Sequence, residues 1–173
     1  TETETDFYQE FLKWCAVRAK QAKTAMYFSM QMPIRLASTS IHMAARNILK
    51  DEADTWQGDT NSPPKKNWID PHPELRELAK QVLAQPDSKV SKLSELLAEL
   101  HELGRPALLF TWSKGTLSYL REKFGSSYRI AVLNGDVPRL QRRQIMRDFR
   151  AGGYDFLFAN KVASEGLDFE FCS

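Results

Sequence analysis

The sequence predicts an α/β fold in which a buried parallel sheet follows a helical N-terminal extension. Three observations across its 173 residues carry that expectation. In the first half, apolar residues recur at spacings of three and four, the period of helices that bury one face. In the second half, short and nearly continuous apolar runs alternate with helical stretches, as in strands covered on both sides by crossover helices. Between the two lies a polar, proline-rich stretch with neither period.

The elements follow in order. Phe7, Phe11, Trp14 and Cys15 form one helical stripe, continued by Arg18. Pro33, in MQMPIRL, is expected to break the chain into two helices, because proline lacks the N–H that an inner turn needs. Ser38 to Ser40 then offer caps for a helix whose apolar face is Ile41, Ala44, Ala45, Ile48 and Leu49. Residues 54–73, with Pro63, Pro64, Pro71 and Pro73, read as a surface linker on which Trp56 and Trp68 dock. ELRELAKQVLAQ resumes helix. A further helix is capped by Asp87 or Ser88, repeats Val90, Leu93, Leu97 and Leu100 on one face, and stops at Gly104. PALLFTW, YRIAVLNG and YDFLFAN are the three strands. TLSYLREKF and VPRLQRRQIMRDFR are the helices between them, the second with Pro138 in its first turn.

Composition excludes some classes. Apolar residues at 42% and charged residues at 27% are enough for an ordinary core. A net charge of +2 is too small to argue for a nucleic-acid partner by itself. Cys15 and Cys172 are far apart and suggest neither a disulfide framework nor a metal site. TETETD lacks the order of a secretory leader, and no apolar run approaches the roughly 20 residues of a membrane span. A reducing, cytoplasmic setting without membrane contact is the expectation.

In an open parallel sheet, ligands sit beyond the carboxyl ends of the strands. That rule selects Thr111-Trp112-Ser113-Lys114-Gly115, Asn134-Gly135-Asp136, and Asn160-Lys161 running on to Gly166-Leu167-Asp168. RLQRRQIMRDFR holds five arginines against one aspartate. It reads equally as a phosphate-facing basic helix or as the solvated face of an amphipathic helix that packs Ile145, Met146 and Phe149 on the sheet. Asp51-Glu52-Ala53-Asp54 follows no apolar strand and no phosphate loop, so it reads as a solvated helix end and no metal site is expected.

These residues resemble a known family. NGDVPRLQRRQIMRDF followed by YDFLFANKVASEGLDFEFC is similar to the second, C-terminal RecA-like lobe of superfamily 2 helicases and translocases, and PALLFTWSK matches the strand motif that precedes them. SEG with DFEFC is most similar to the Snf-type branch, in particular the bacterial RNA-polymerase-associated ATPase and its relatives. IRLASTSIHMAARNIL resembles, more loosely, a helical segment ahead of the lobe in that branch. The family often has threonine where Asn160 stands, and some branches have glutamine at Arg139.

The resemblance implies a helical extension over 1–53, a linker over 54–73 and a partial lobe over 74–173 that stops before the last helicase motif. It implies that Gly166 and Asp168 face nucleotide, that Thr111, Ser113 and Asn160 contact the nucleic-acid backbone, and that Arg142 and Glu165 serve between motifs or at the lobe interface. From the residues alone, Gly166 reads as a turn, Asp168 as a cap and Glu165 as a solvated carboxylate. ATP and Mg²⁺ are implied for the intact protein, with none expected on this chain, because the phosphate loop G-x-x-x-x-G-K-[ST] does not occur in it. The implied partners are the N-terminal RecA-like lobe, nucleic acid (double-stranded DNA first), and RNA polymerase or another protein. The implied activity is that of an ATP-driven DNA motor, to which this chain contributes no catalytic residue and which it cannot perform alone. An RNA helicase lobe and a non-catalytic interaction module are the alternatives.

Overall fold

The computed structural model describes residues 1–21, 26–50 and 71–160. Among them are seven helices and three strands, and the chain divides into two compact units, Thr1–Ser91 and Lys92–Ser173.

The first unit is helical. In α1 (Glu2–Gln21) the expected stripe is buried, with Phe7 and Phe11 inaccessible to solvent and Trp14 and Cys15 nearly so. Tilted ring contacts run along it at 5.7 Å, first Phe7–Phe11 and then Phe11–Trp14. Burial pushes the Cys15 thiol up to about 12 against the pull of Arg18, so this sulfur stays protonated. α3 (Ile41–Leu49) begins at Ser40, whose hydroxyl accepts from the Met43 N–H at 3.1 Å. α4 (Pro73–Ala84) packs Leu75, Ala79 and Val82 with Ala44, Ala45 and Ile48 of α3, the alanines allowing close approach.

Pro33 does not break the chain as expected. α2 (Met26–Thr39) runs through it, and the break comes at Ser40. A proline removes one hydrogen bond from the inner ladder, and the turn that follows it buries Leu36 and Ala37, whose packing offsets part of that loss. The first unit runs on to Ser91, and within it the apolar face of α4 is buried against α1 and α3.

α5 (Ser88–Glu102) is capped by Asp87, which accepts from the Val90 N–H at 3.0 Å. It ends where Gly104 turns left-handed at φ +62°, with Gly104 N–H bonded to the His101 carbonyl and Arg105 N–H to Leu100.

The second unit builds the sheet. β1 (Ala107–Thr111), α6 (Lys114–Phe124), β2 (Ile130–Leu133), α7 (Arg139–Arg150) and β3 (Phe156–Asn160) alternate as the apolar rhythm predicts. The strands are parallel in the order β1-β3-β2, which is the RecA-like arrangement. β3 is central and every residue in it is buried, whereas β1 is half-exposed. Leu157 and Ala159 meet Met146 and Phe149 of α7 with Ala131 and Leu133 of β2, which leaves Phe156 and Phe158 for the opposite face. At the amino end of the sheet Asp155 accepts from the Arg129 N–H at 2.8 Å and from its guanidinium at 2.6 and 3.3 Å.

Candidate nucleic-acid interface

The strand pairing brings the polar strand ends to one edge. Thr111, the last residue of β1, is in register with Asn160, the last of β3, while Leu133 of β2 is level with Ala159. The described loops after β1 and β2 therefore leave the sheet at the edge where β3 ends. The Thr111 hydroxyl is buried and has no hydrogen-bond partner among the described residues. Buried hydroxyls are normally paired, so an unpaired one at the carboxyl edge, where open parallel sheets generally bind ligands, is a candidate place for a ligand atom to supply the missing bond.

Ser113 already has local work. Its oxygen accepts from the Thr116 N–H at 3.0 Å, capping α6, and it shares a 2.8 Å bond with the Thr116 hydroxyl. Its expected contact with a phosphate would therefore add to a capping role. Asn160 is buried at the end of β3.

The turn after β2 is built from within. Asn134 accepts from the Asp136 N–H through its side chain at 2.9 Å and from the Val137 N–H through its carbonyl at 3.2 Å. Arg142 reaches back from α7 and donates to the Val137 carbonyl at 2.7 Å and the Gly135 carbonyl at 3.0 Å. The guanidinium expected to serve between motifs thus braces the turn carrying Gly135 and Asp136. The other arginines of α7, at 139, 143, 147 and 150, are exposed, and Met146 and Phe149 are buried beneath them, so the helix is amphipathic.

Lys114 Nζ meets Asp136 Oδ1 at 2.7 Å. The pair joins the loops leaving the two strands that flank β3. Both residues lie in stretches that the strand-end rule selects, but their pairing depends on the strand order, which sequence spacing does not report. Gly166, Asp168, Glu165 and Asp51 to Asp54 lie outside the described residues.

Comparison with known proteins gives this edge its context. The family described as "Helicase conserved C-terminal domain" matches residues 88–173. Over residues 88–173 the chain is therefore similar to the C-terminal lobe of superfamily 2 helicases. DEAD-box ATP-dependent RNA helicase 9 of Oryza sativa subsp. japonica is 32% identical over 87 residues, which is 50% of this chain and 14% of that protein. UvrABC system protein B of Xanthomonas oryzae pv. oryzae is 33% identical over 104 residues, 58% of this chain and 14% of that protein. The chain therefore spans about a seventh of the length of these curated relatives. Among solved structures, the crystal structure of the Pyrococcus furiosus Hef helicase domain superposes with a TM-score of 0.62 over 98% of this chain and 46% of its own. At 14% identity it speaks for the fold alone.

Proposed function

We infer that this chain is the C-terminal motor lobe of an ATP-dependent Snf-type translocase and that it grips the backbone of double-stranded DNA. The observation that carries the reading is the carboxyl edge of the sheet, where Thr111 and Asn160 stand in register and the Thr111 hydroxyl is buried without a partner among the described residues. Hydroxyls and amides suit phosphate oxygens, and contacts of that kind position a protein without reading sequence. SEGLDFEF supports the Snf-type branch, where it resembles the bacterial RNA-polymerase-associated ATPase, with RNA polymerase as a candidate partner. In the whole protein, ATP with Mg²⁺ would supply the phosphoryl-transfer chemistry between this lobe and an N-terminal one. Gly166 and Asp168 are the positions proposed to face it, with Glu165 orienting the neighbouring motifs.

Fluorescence anisotropy with short duplex DNA and duplex RNA, beside a phosphate-release assay, tests the reading. The isolated chain should bind DNA with a dissociation constant of roughly 10⁻⁴ M or weaker at physiological salt, and more tightly at low salt. Thr111→Val and Asn160→Ala should each weaken it. Binding indifferent to both substitutions would sink the proposed edge, and ATP turnover by the chain alone would contradict its assignment as a partial motor. A second reading, an RNA helicase lobe, has the match to relatives described as DEAD-box RNA helicases in its favour, and tighter binding of the RNA duplex would establish it over the first.

A further inference from the structure

We propose that Asp136 is a built-in competitor for backbone phosphate: its carboxylate holds the Lys114 ammonium, and a phosphodiester must displace it to use that cation. The inference rests on the reading of the carboxyl edge as the nucleic-acid face, and it adds a contact and its control to that face.

Four observations converge on the pair. Lys114 is the first residue of α6, directly after the Ser113 cap, where the positive end of the helix adds to the attraction for an anion. The lysine side chain is 23% exposed and the aspartate 65%, so the anion is the more accessible and replaceable member. The turn does not need the carboxylate. Asn134 and Arg142 hold it through backbone groups, and among the described residues the Asp136 carboxylate is bonded only to Lys114. Finally, the pair joins the loops flanking β3, so a phosphate taking the place of the carboxylate would lie at the edge that carries Asn160 and the unpartnered Thr111 hydroxyl.

Magnitudes allow the exchange. A solvent-exposed ion pair is weak and screened by salt, so a phosphate that also gains the Thr111 hydroxyl can compete with it. A carboxylate and a phosphate oxygen make the same kind of charge-assisted bond to an ammonium, and only one anion can have the short contact at a time. The carboxylate thus lowers affinity for any backbone while keeping Lys114 oriented in its absence.

The test is a double-mutant cycle on the complete chain, using Asp136→Asn, Lys114→Gln and the two together. Anisotropy is read with the same labelled DNA duplex at low and physiological salt, and thermal melts establish that each variant folds. Asp136→Asn should bind roughly two- to five-fold more tightly, the factor that loss of an exposed ion pair corresponds to. Lys114→Gln should bind more weakly. The double variant should bind like Lys114→Gln, because without the ammonium the carboxylate has nothing to block. If Asp136→Asn tightens binding by the same factor in both backgrounds, or not at all, the effect is general charge and the proposal is overturned. If none of the proteins binds the duplex, the nucleic-acid reading has failed. Titration with inorganic phosphate, followed through the Lys114 side-chain resonances, then decides the competition separately. A larger response in Asp136→Asn than in wild type supports it, and equal responses refute it.

Discussion

The two ends of the sheet are built on opposite principles. At the amino end Asp155 collects the Arg129 backbone N–H and two guanidinium contacts, and the Phe156 ring meets Tyr128 edge-on at 5.1 Å, with His101 against Tyr128 at 5.2 Å. The Asp155 backbone N–H is bonded to the Arg129 carbonyl at 2.8 Å as well. At the carboxyl end the Thr111 hydroxyl has no partner among the described residues, and the Lys114–Asp136 pair is open to solvent. Asp155 is well supplied with donors where β2 and β3 start, whereas among the described residues the Thr111 hydroxyl is left without one where β1 ends. On the proposed reading, one end stabilises the fold and the other is available to a ligand. The contrast predicts that substitutions at the amino end cost stability and those at the carboxyl end change binding.

The largest expected effect lies at the amino end. Asp155→Ala removes the acceptor of three donors and should destabilise the second unit by about 2 kcal/mol, since bonds to an ionised acceptor are stronger than neutral ones. Urea unfolding checks this, and it should leave DNA affinity unchanged in the native baseline. Acid should reproduce part of the loss. The hydrogen bonds from Arg129 hold the Asp155 carboxyl below its usual value even though partial burial opposes them. Because the folded value is the lower one, the stabilisation is complete above an ordinary aspartate value of about 4 and fades as pH falls through the depressed value. Melts from neutral pH to about pH 2 should show a part of the acid destabilisation that Asp155→Ala lacks. An identical acid response in both proteins would mean that this end is not held by the carboxylate.

Much of this architecture was legible in the residues. The three strands appear where apolar runs are nearly continuous, because a central parallel strand such as β3 has no solvent face that would demand alternation. Gly104 marked the end of α5, since the left-handed turn it makes is unfavourable for other residues. The sequence signal failed where tertiary burial decides. Pro33 is a local breaker, yet the turn beyond it is buried. ELRELAKQVLAQ read as helix, but the face it buries, Leu75, Ala79 and Val82, and its neighbours α1 and α3 come from the tertiary packing. At the candidate site, strand-end logic selected the stretches holding Thr111, Ser113 and Asn160, of which the structure sets Thr111 and Asn160 in register and gives Ser113 a capping role. The carbonyl clamp of Arg142 and the partner of Lys114 were hidden, because each depends on how separate loops meet in space.

A smaller effect belongs to the carboxyl end. Ser113→Ala removes the α6 cap and the partner of the buried Thr116 hydroxyl, and should cost about 1 kcal/mol. Ser113→Asp keeps a capping acceptor and should recover most of that stability. Its added negative charge, set beside Lys114 on the proposed phosphate face, should nevertheless weaken DNA binding. Thermal melts read beside anisotropy separate the two roles, and a Ser113→Asp chain that is stable and binds normally would assign Ser113 to capping alone.

Thr111→Val should have the smallest effect on stability, and one of opposite sign. Valine has nearly the shape of threonine and is at least as well suited to a strand, so packing at the end of β1 is preserved. The substitution removes a buried hydroxyl that has no partner among the described residues, and with it the penalty of keeping that group from water. A gain of up to about 1 kcal/mol follows, the lower end of what an unsatisfied buried polar group costs. The same change should weaken DNA binding, since the hydroxyl is the group proposed to complete its hydrogen bonding on a phosphate. Stability that rises while affinity falls is what an edge retained for binding requires. Stability that falls by about 1 kcal/mol or more would show that the hydroxyl is satisfied within the fold, and the contrast between the two ends of the sheet would collapse.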